Sequence, residues 1–339
     1  MKAARLHAAG DLRVEAIERP GSPGANEVRL KVRAAGICGS DLHNFRTGQW
    51  ISRAPSVAGH EFAAIVTEVG AAVTGFAPGD TVVADSRYWC GKCPACRSGR
   101  QNICERLGFV GELCDGGFAE ETLLPARLLV KHDPALDPAI AAMAEPLAVA
   151  LHAVRKQAVP AGEAVLVAGC GPIGGLAALL LARFHEGPLL VADKNDARAT
   201  LVADVTDART VDLDDIATAG GDRPLRYALD ATGNIGVMEK LLKALAGGGS
   251  LALVGIAHGA MELDPNLLVE RDTALIGCHA FTHELPEAVA LLPDLQPALA
   301  RFIDERIPLE EVPAAYARLL AGDSRGLKTI LQIGETGHV

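Results

Sequence analysis

Two short stretches concentrate the groups that can do chemistry. Residues 38–43, CGSDLH, hold a thiol, a hydroxyl, a carboxylate and an imidazole, and GHEF follows at 59–62. Cys38 and His60 are donors that suit Zn²⁺, and each adjoins a glycine that lets the loop bend tightly. Glu61 follows His60, and Glu145 opens EPLAVALHAV. A catalytic zinc takes about three protein ligands and keeps one position open for water or substrate. Cys38, His60 and one or both of Glu61 and Glu145 can supply that set. Each residue also has a plainer reading: a lone Cys as core, a lone Glu as a solvated charge. Ser40 and His43 are either part of the chemistry or loop-stabilising groups, the serine capping a turn.

A second constellation is local. CGKCPACRSGRQNIC spaces Cys90, Cys93, Cys96 and Cys104 as C-x2-C-x2-C-x7-C. Four thiolates gathered by tight turns make a closed tetrahedral zinc site, a structural staple with no open position. An iron–sulfur cluster takes the same donors, but nothing else in the sequence suggests electron transfer. A third lies in VLVAGCGPIGG, residues 165–175. Gly169, Gly171, Pro172, Ile173 and Gly174 form a G-x-G-x-x-G turn after a strand and open a helix. Such a turn brings backbone amides and a helix N-terminus up to a pyrophosphate. Asp193 closes the next strand, where a carboxylate accepts from a ribose 2′-hydroxyl and repels a 2′-phosphate, so NAD is favoured over NADP. Lys194 beside it tempers that preference.

These groups need positioning elements. Residues 25–35, 62–69 and 80–85 are short, rich in Val and Ala, and punctuated by Gly and Pro, as in an antiparallel, turn-rich domain. After about residue 150 the rhythm changes to strands (AVLVAG, PLLVAD, LRYALDATG, GSLALVGI) alternating with helices such as GVMEKLLKALAGG, which implies a doubly wound parallel sheet. A break at Pro160 and Gly162 precedes the first parallel strand. The tail RFIDERIPLEEVPAAYARLL reads as a strand and a helix with no partner strand following, and returns to the first domain. DATG, with Thr232 and Gly233, and LVGI, with Val254 and Gly255, end parallel strands, where ligands bind in such sheets.

The 339 residues, 49% hydrophobic and 22% charged, are ordinary for two globular domains. A net charge of −10 with no Lys/Arg block argues against a nucleic-acid partner. No apolar run has the length of a signal peptide or a membrane span, so the expectation is a soluble cytoplasmic protein. Its eight cysteines are expected as thiols or metal ligands, not disulfides.

AGICGSDLH, GHE, the four-cysteine lobe, EPLAVALHA and GCGPIGG occur in the order found in zinc-dependent medium-chain dehydrogenases, and the whole chain resembles that family. It looks most similar to the polyol and sugar-acid branch, the sorbitol and L-idonate 5-dehydrogenases. The resemblance implies an α/β protein. A GroES-like β-rich catalytic domain at 1–152 carries a structural-zinc lobe at about 86–108. A Rossmann NAD-binding domain follows at 153–292, residues 293–339 return to the catalytic domain, and the active site lies in the cleft between domains. It implies two zincs per chain, one structural and one catalytic, the latter held by Cys38, His60 and a glutamate, with Glu61 and Glu145 both at the metal. Ser40 matches the hydroxyl that touches the substrate oxygen, and His43 the histidine that relays the proton outward. Homo-oligomers, dimers or tetramers, occur in the family.

One departure stands out. The polyol-binding arginine of the sorbitol enzymes is matched by Ala280, with His279 beside it, which removes a guanidinium fork. Arg46, Arg53 and His279 are candidate substitutes, and Phe118 is either a wall of the cleft or core. The expected reaction is NAD-linked oxidation of a secondary alcohol in a polyol or sugar acid. The alternatives are an amino-alcohol dehydrogenase of the L-threonine 3-dehydrogenase kind, or a non-catalytic NAD-binding protein.

Overall fold

The computed structural model describes residues 1–221 and 223–334, so positions 335–339 of the C-terminal return lie outside the described residues. The chain forms two compact units, one of Met1–Glu145, Leu285–Ser324 and Lys328–Val339, the other of Pro146–Glu284 with Arg325–Leu327. The chain leaves the first unit at Glu145, inside the Ala144–Gln157 helix, and not at the Pro160–Gly162 turn. A continuous helix can carry its first turn into one core and the rest into another, whereas the proline only ends it.

The first unit is built on a sheet in the order Leu129–Lys131, Thr81–Ala84, Glu61–Val69, Glu27–Gly36, Lys328–Gln332, Ile303–Pro308, with Glu121–Pro125 also pairing Glu27–Gly36. Alternation in EVRLKVRAAG buries Val28, Leu30, Val32 and Ala34 completely or nearly so, which fixes the register of the strand. The tail differs from expectation here. Ile303–Pro308 does gain a partner, the parallel strand Lys328–Gln332, which in turn pairs antiparallel with Glu27–Gly36. TILQI carries only one strand's worth of apolar residues and gave no separate signal. Phe118 is wholly buried in the core of this unit and so is not a wall of any cleft.

The second unit holds a parallel sheet in the order Arg209–Thr210, Leu189–Ala192, Val165–Ala168, Tyr227–Asp230, Ser250–Leu253, Ala274–Gly277. Its central strands VLVA and LLVA are near-continuous apolar runs, as strands covered on both faces must be. The order reverses between Val165–Ala168 and Tyr227–Asp230, so the crevice beyond their carboxyl ends is where such sheets bind ligands.

Candidate active site and cofactor cradle

In the first unit, strand pairing brings the separate motifs to one place. Gly36, ending its strand, lies opposite Glu61 on one side and Ile330 on the other. Cys38 follows as the N-cap of the Gly39–Thr47 helix. Ligand atoms of Cys38, His60 and Glu61 all lie within 4.8 Å of one another. Glycines make the approach possible. A side chain at Gly36 would collide with the Glu61 carboxylate and with Lys328 Cε, and one at Gly59, whose φ is +90°, would strike the Phe118 ring.

The charges around this cluster are buried and mutually dependent. Lys328 Nζ forms an ion pair with Glu61 Oε2, with both side chains 1% exposed. Burial alone would lower the lysine's pKa, but the charges of Glu61 and Cys38 reverse that and raise it. Glu145 accepts a 2.6 Å hydrogen bond from Ser86 Oγ and lies outside the three-residue cluster. Burial pushes Glu145 up to about 7, with repulsion from Glu61 adding to the rise while His60, Ser86 and Lys328 oppose it. Asp41 lies behind His60, with Oδ1 3.5 Å from Nδ1, while its Oδ2 accepts from the Cys38 amide at 2.9 Å. Burial would depress the His60 imidazolium, but Asp41 and Cys38 outweigh it and hold its pKa well above the ordinary value. Cys38, His60 and Glu61 are thus a mixed S/N/O donor set with a carboxylate orienting the histidine, which fits Zn²⁺.

Ser40 Oγ lies 3.5 Å from His60 Nε2. His43 is buried one helical turn on, its Nε2 2.9 Å from Gln49 Oε1 and 3.3 Å from Thr47 Oγ1, with its ring 4.4 Å from that of Trp50. Arg53 pairs with Asp115 at 2.6 Å, and Arg46 is exposed on its helix. Ala280 adopts φ +47°, a left-handed conformation that is uncommon for a residue with a side chain.

Three residues of this region carry no motif of their own, and a fourth, Asp41, does. Asp41 was legible within CGSDLH as a carboxylate three residues after the cysteine. Ser86, Glu112 and Lys328 gave no local signal, because only the sheet and the turns bring them near. Glu112 is half-buried, and that burial pushes it up to about 7, with His60 lowering it and Asp41 raising it.

The cysteine lobe is self-contained. Cys90, Cys93, Cys96 and Cys104 offer sulfurs within 4.8 Å of one another. Backbone amides of Cys90 and Arg106 donate to Cys104 Sγ at 3.4 Å, and that of Cys96 to Cys93 Sγ at 3.5 Å. Amides of Lys92 and Cys93 pull Cys90 down to about 6, whereas burial beside the other thiols pushes Cys96 up to about 12. Four thiol sulfurs crowded together with amides aimed at them suit a tetrahedral dication with no position left open.

In the second unit, Gly169 has φ +94° and Gly171 caps the Pro172–Phe184 helix. A side chain at Gly174 would collide with the Gly169 carbonyl, whereas the space beside Gly171 is open, as a cradle for a phosphate requires. Asp193 accepts from the Cys170 amide at 2.6 Å and the Asn195 amide at 2.7 Å, fixing its carboxylate at the end of its strand. Lys194 lies between Asp193 and Asn195 and shows no ion pair with any described residue. Asp230, buried at the end of Tyr227–Asp230, accepts from the Thr232 hydroxyl at 2.5 Å and the Gly233 amide at 3.1 Å, while the Val254 and Gly255 amides donate to its carbonyl. These contacts tie the DATG and LVGI segments together beside Gly169, whose Cα faces the Ala231 backbone.

Residues 24–134 match the alcohol dehydrogenase GroES-like domain, and residues 172–294 match the zinc-binding dehydrogenase domain. The chain is 30% identical to the L-galactonate-5-dehydrogenase of Escherichia coli strain K12, covering 91% of this chain and 92% of that protein. It is 33% identical to the L-threonine 3-dehydrogenase of Bacillus velezensis, covering 70% of this chain and 72% of that one. A zinc-binding dehydrogenase structure from Sinorhizobium meliloti, bound to NADP, superposes with a TM-score of 0.90 at 29% identity over 98% of both chains. With the donor sets and the doubly wound sheet, these likenesses make the chain an oxidoreductase that belongs to the zinc-dependent medium-chain dehydrogenase family of alcohol and polyol dehydrogenases.

Proposed function

We propose that the chain oxidises a secondary alcohol of a polyol or sugar acid to the ketone, with NAD as hydride acceptor, one catalytic zinc and one structural zinc. The observation that carries this is the convergence of Cys38, His60 and Glu61 ligand atoms within 4.8 Å, with Asp41 behind the histidine. Cys38, His60 and Glu61 would hold the catalytic metal, with Glu145 beside them. Cys90, Cys93, Cys96 and Cys104 would hold the structural one. When bound, zinc supplies Lewis acidity that favours the alkoxide of the substrate, and NAD supplies the hydride acceptor.

The protein's own groups do the rest. Asp41 orients His60 and holds its ring in one tautomer. Ser40 takes the proton from the substrate hydroxyl, and His43, whose imidazole can both accept and donate a proton, passes it outward. Gly169, Gly171, Pro172, Ile173 and Gly174 cradle the pyrophosphate, and Thr232, Gly233, Val254 and Gly255 flank the rest of the dinucleotide. Asp193, fixed by two amides, reads the ribose hydroxyl; its charge argues for NAD although a structural relative binds NADP. An amino-alcohol substrate is the second reading, supported by the likeness to L-threonine 3-dehydrogenase.

No described helix is long and apolar enough to cross a membrane. We read the protein as a cytoplasmic homo-oligomer, dimer or tetramer, that takes a small-molecule substrate and has no nucleic-acid partner; sedimentation of the purified protein tests the assembly. The function is tested by following NADH formation by zinc-loaded protein with polyols, sugar acids, simple secondary alcohols and L-threonine, then with NADP in place of NAD. Chelator-sensitive turnover preferring NAD is expected. Two bound zincs with silence on every alcohol would overturn the reading.

A further inference from the structure

The Gly39–Thr47 helix ends at Gly48, which turns the chain sharply back with φ +68° and an amide bond to Asn44 O at 2.8 Å. The next two residues then close on His43. Gln49 Oε1 lies 2.9 Å from His43 Nε2, and the Trp50 ring lies 4.4 Å from the imidazole at 51°. Asn44 Oδ1 accepts from the Trp50 amide at 3.0 Å and anchors the turn. His43 is 6% exposed, whereas Thr47 and Gln49 are exposed. The buried ring thus meets solvent-facing side chains at Nε2.

Thr47 gives the sense of these bonds. Its hydroxyl donates its one hydrogen to the His43 carbonyl at 2.9 Å, one turn back on the helix, and accepts from the Gln49 amide at 3.2 Å. Toward His43 Nε2, 3.3 Å away, Thr47 Oγ1 can therefore only accept. Gln49 presents its carbonyl oxygen to the same nitrogen. A ring nitrogen that faces two acceptors carries the hydrogen, and in a neutral imidazole the other nitrogen is then the proton acceptor.

Resting on the dehydrogenase reading above, we infer that Gln49, with Thr47, is a positioning residue for proton transfer. It holds His43 with its hydrogen on Nε2, so that Nδ1 is the atom that takes the substrate's proton. Ser40 and His43 lie three residues apart on one helix, which makes them neighbours on its face. Nδ1 accepts the proton that Ser40 has taken from the substrate hydroxyl. The ring becomes an imidazolium with hydrogen on both nitrogens, its Nε2–H already bonded to Gln49, and returns to neutrality by giving one proton to solvent water. With a donor in place of Gln49, the neutral ring would carry its hydrogen on Nδ1, which then cannot accept.

The tautomer is read directly by nitrogen NMR of zinc-loaded protein carrying isotope-labelled histidine, the His43 signals being those that vanish in His43→Gln. Gln49→Glu keeps an acceptor oxygen, and Gln49→Lys puts a donor in its place; melting temperature and zinc content are recorded for each. Wild type and Gln49→Glu are expected with the hydrogen on Nε2, and Gln49→Lys with it on Nδ1. In NAD-linked oxidation of whichever alcohol turns over best, Gln49→Lys should lower kcat about 100-fold, the low end of what a positioned proton acceptor is worth, with KM little changed. A wild-type ring with its hydrogen on Nδ1, or the same tautomer in all three proteins, would overturn the assignment. A moved tautomer with unchanged kcat would also overturn the role of Gln49, while leaving the dehydrogenase reading intact. Silence of the zinc-loaded wild type on every alcohol would overturn both.

Discussion

The two metal-ligand constellations of the first unit are built on opposite plans. The cysteine lobe takes all its donors from residues 90–104 and surrounds them with its own backbone amides. The Cys38–His60–Glu61 cluster draws on distant segments and is braced by side chains: Asp41 behind His60, Lys328 against Glu61, Ser86 on Glu145. A closed set of four thiols satisfies its metal and needs only geometry, so local turns suffice. A set that keeps a position for substrate must hold buried charges in place independently of the metal, which takes partners from other strands. The first plan serves stability, and the second preserves a reactive site at the expense of stability.

The largest expected effect separates the two plans directly. Cys38→Ala removes a donor from the open set and should lower kcat by roughly 1,000-fold or more, as loss of a group acting in the transition state does, with the melting temperature nearly unchanged. Cys96→Ala should do the reverse, releasing one zinc and lowering the melting temperature. Metal analysis and calorimetry on the two variants read this out, and a Cys38→Ala protein with full activity would break the distinction.

Lys328 tests whether buried charge is the cost of the open plan. Lys328→Met leaves the buried Glu61 carboxyl without its ion-pair partner, which should cost about 3–5 kcal/mol in chemical denaturation. Lys328→Met combined with Glu61→Gln should recover much of that, because both charges are then gone. If the single variant is as stable as wild type, the pair is not what braces the strands at Gly36.

Asp41→Asn probes the brace on the ligand itself. Groups that orient metal-bound histidines are worth about 10–100-fold in metal affinity, so the variant should lose one of the two zincs to a chelator that number of times more readily. Asparagine still accepts from the Cys38 amide, so the helix start should survive and thermal stability should move little. Equal chelator sensitivity in both proteins would reduce Asp41 to a cap.

Legibility in the sequence followed the same divide. The lobe was readable from spacing alone, since every donor and turn lies in one short stretch. The sheet of the second unit was readable because VLVA, LLVA and their neighbours are apolar on both faces, a pattern that survives without knowledge of partners. The open cluster was only half readable. Cys38 and His60 announce themselves beside glycines, but Lys328 lies in GLKTILQ, which reads as an ordinary strand start. Its role follows from the pairing of Ile330 with Gly36 and of Gly36 with Glu61, two long-range registers that no local pattern encodes.

The smallest expected effect comes from a buried pair with no metal donor set around it. In the second unit, His152 Nδ1 lies 2.9 Å from Glu284 Oε1, and the amides of Thr282 and His283 donate to Glu284 Oε2 at 2.6 and 2.9 Å. Burial alone would raise the Glu284 pKa, but His152 and the backbone amides of Thr282 and Glu284 outweigh it and hold the carboxyl at about 2, against an ordinary 4.5. A carboxyl depressed in the folded state stabilises the protein fully above its unfolded value. Its contribution should therefore be complete above about pH 4.5, decline as the pH falls, and vanish near pH 2. Glu284→Gln should lower stability by about 1.5–3 kcal/mol at neutral pH, the worth of hydrogen bonds to a charged acceptor, with the deficit closing between pH 4.5 and 2. Denaturant midpoints of the two proteins across that window measure it. A deficit that stays constant would mean that shape, not charge, is what Glu284 contributes. A pair that behaves as expected here, and costs less to break than Lys328–Glu61, would locate the larger burden of buried charge at the open cluster.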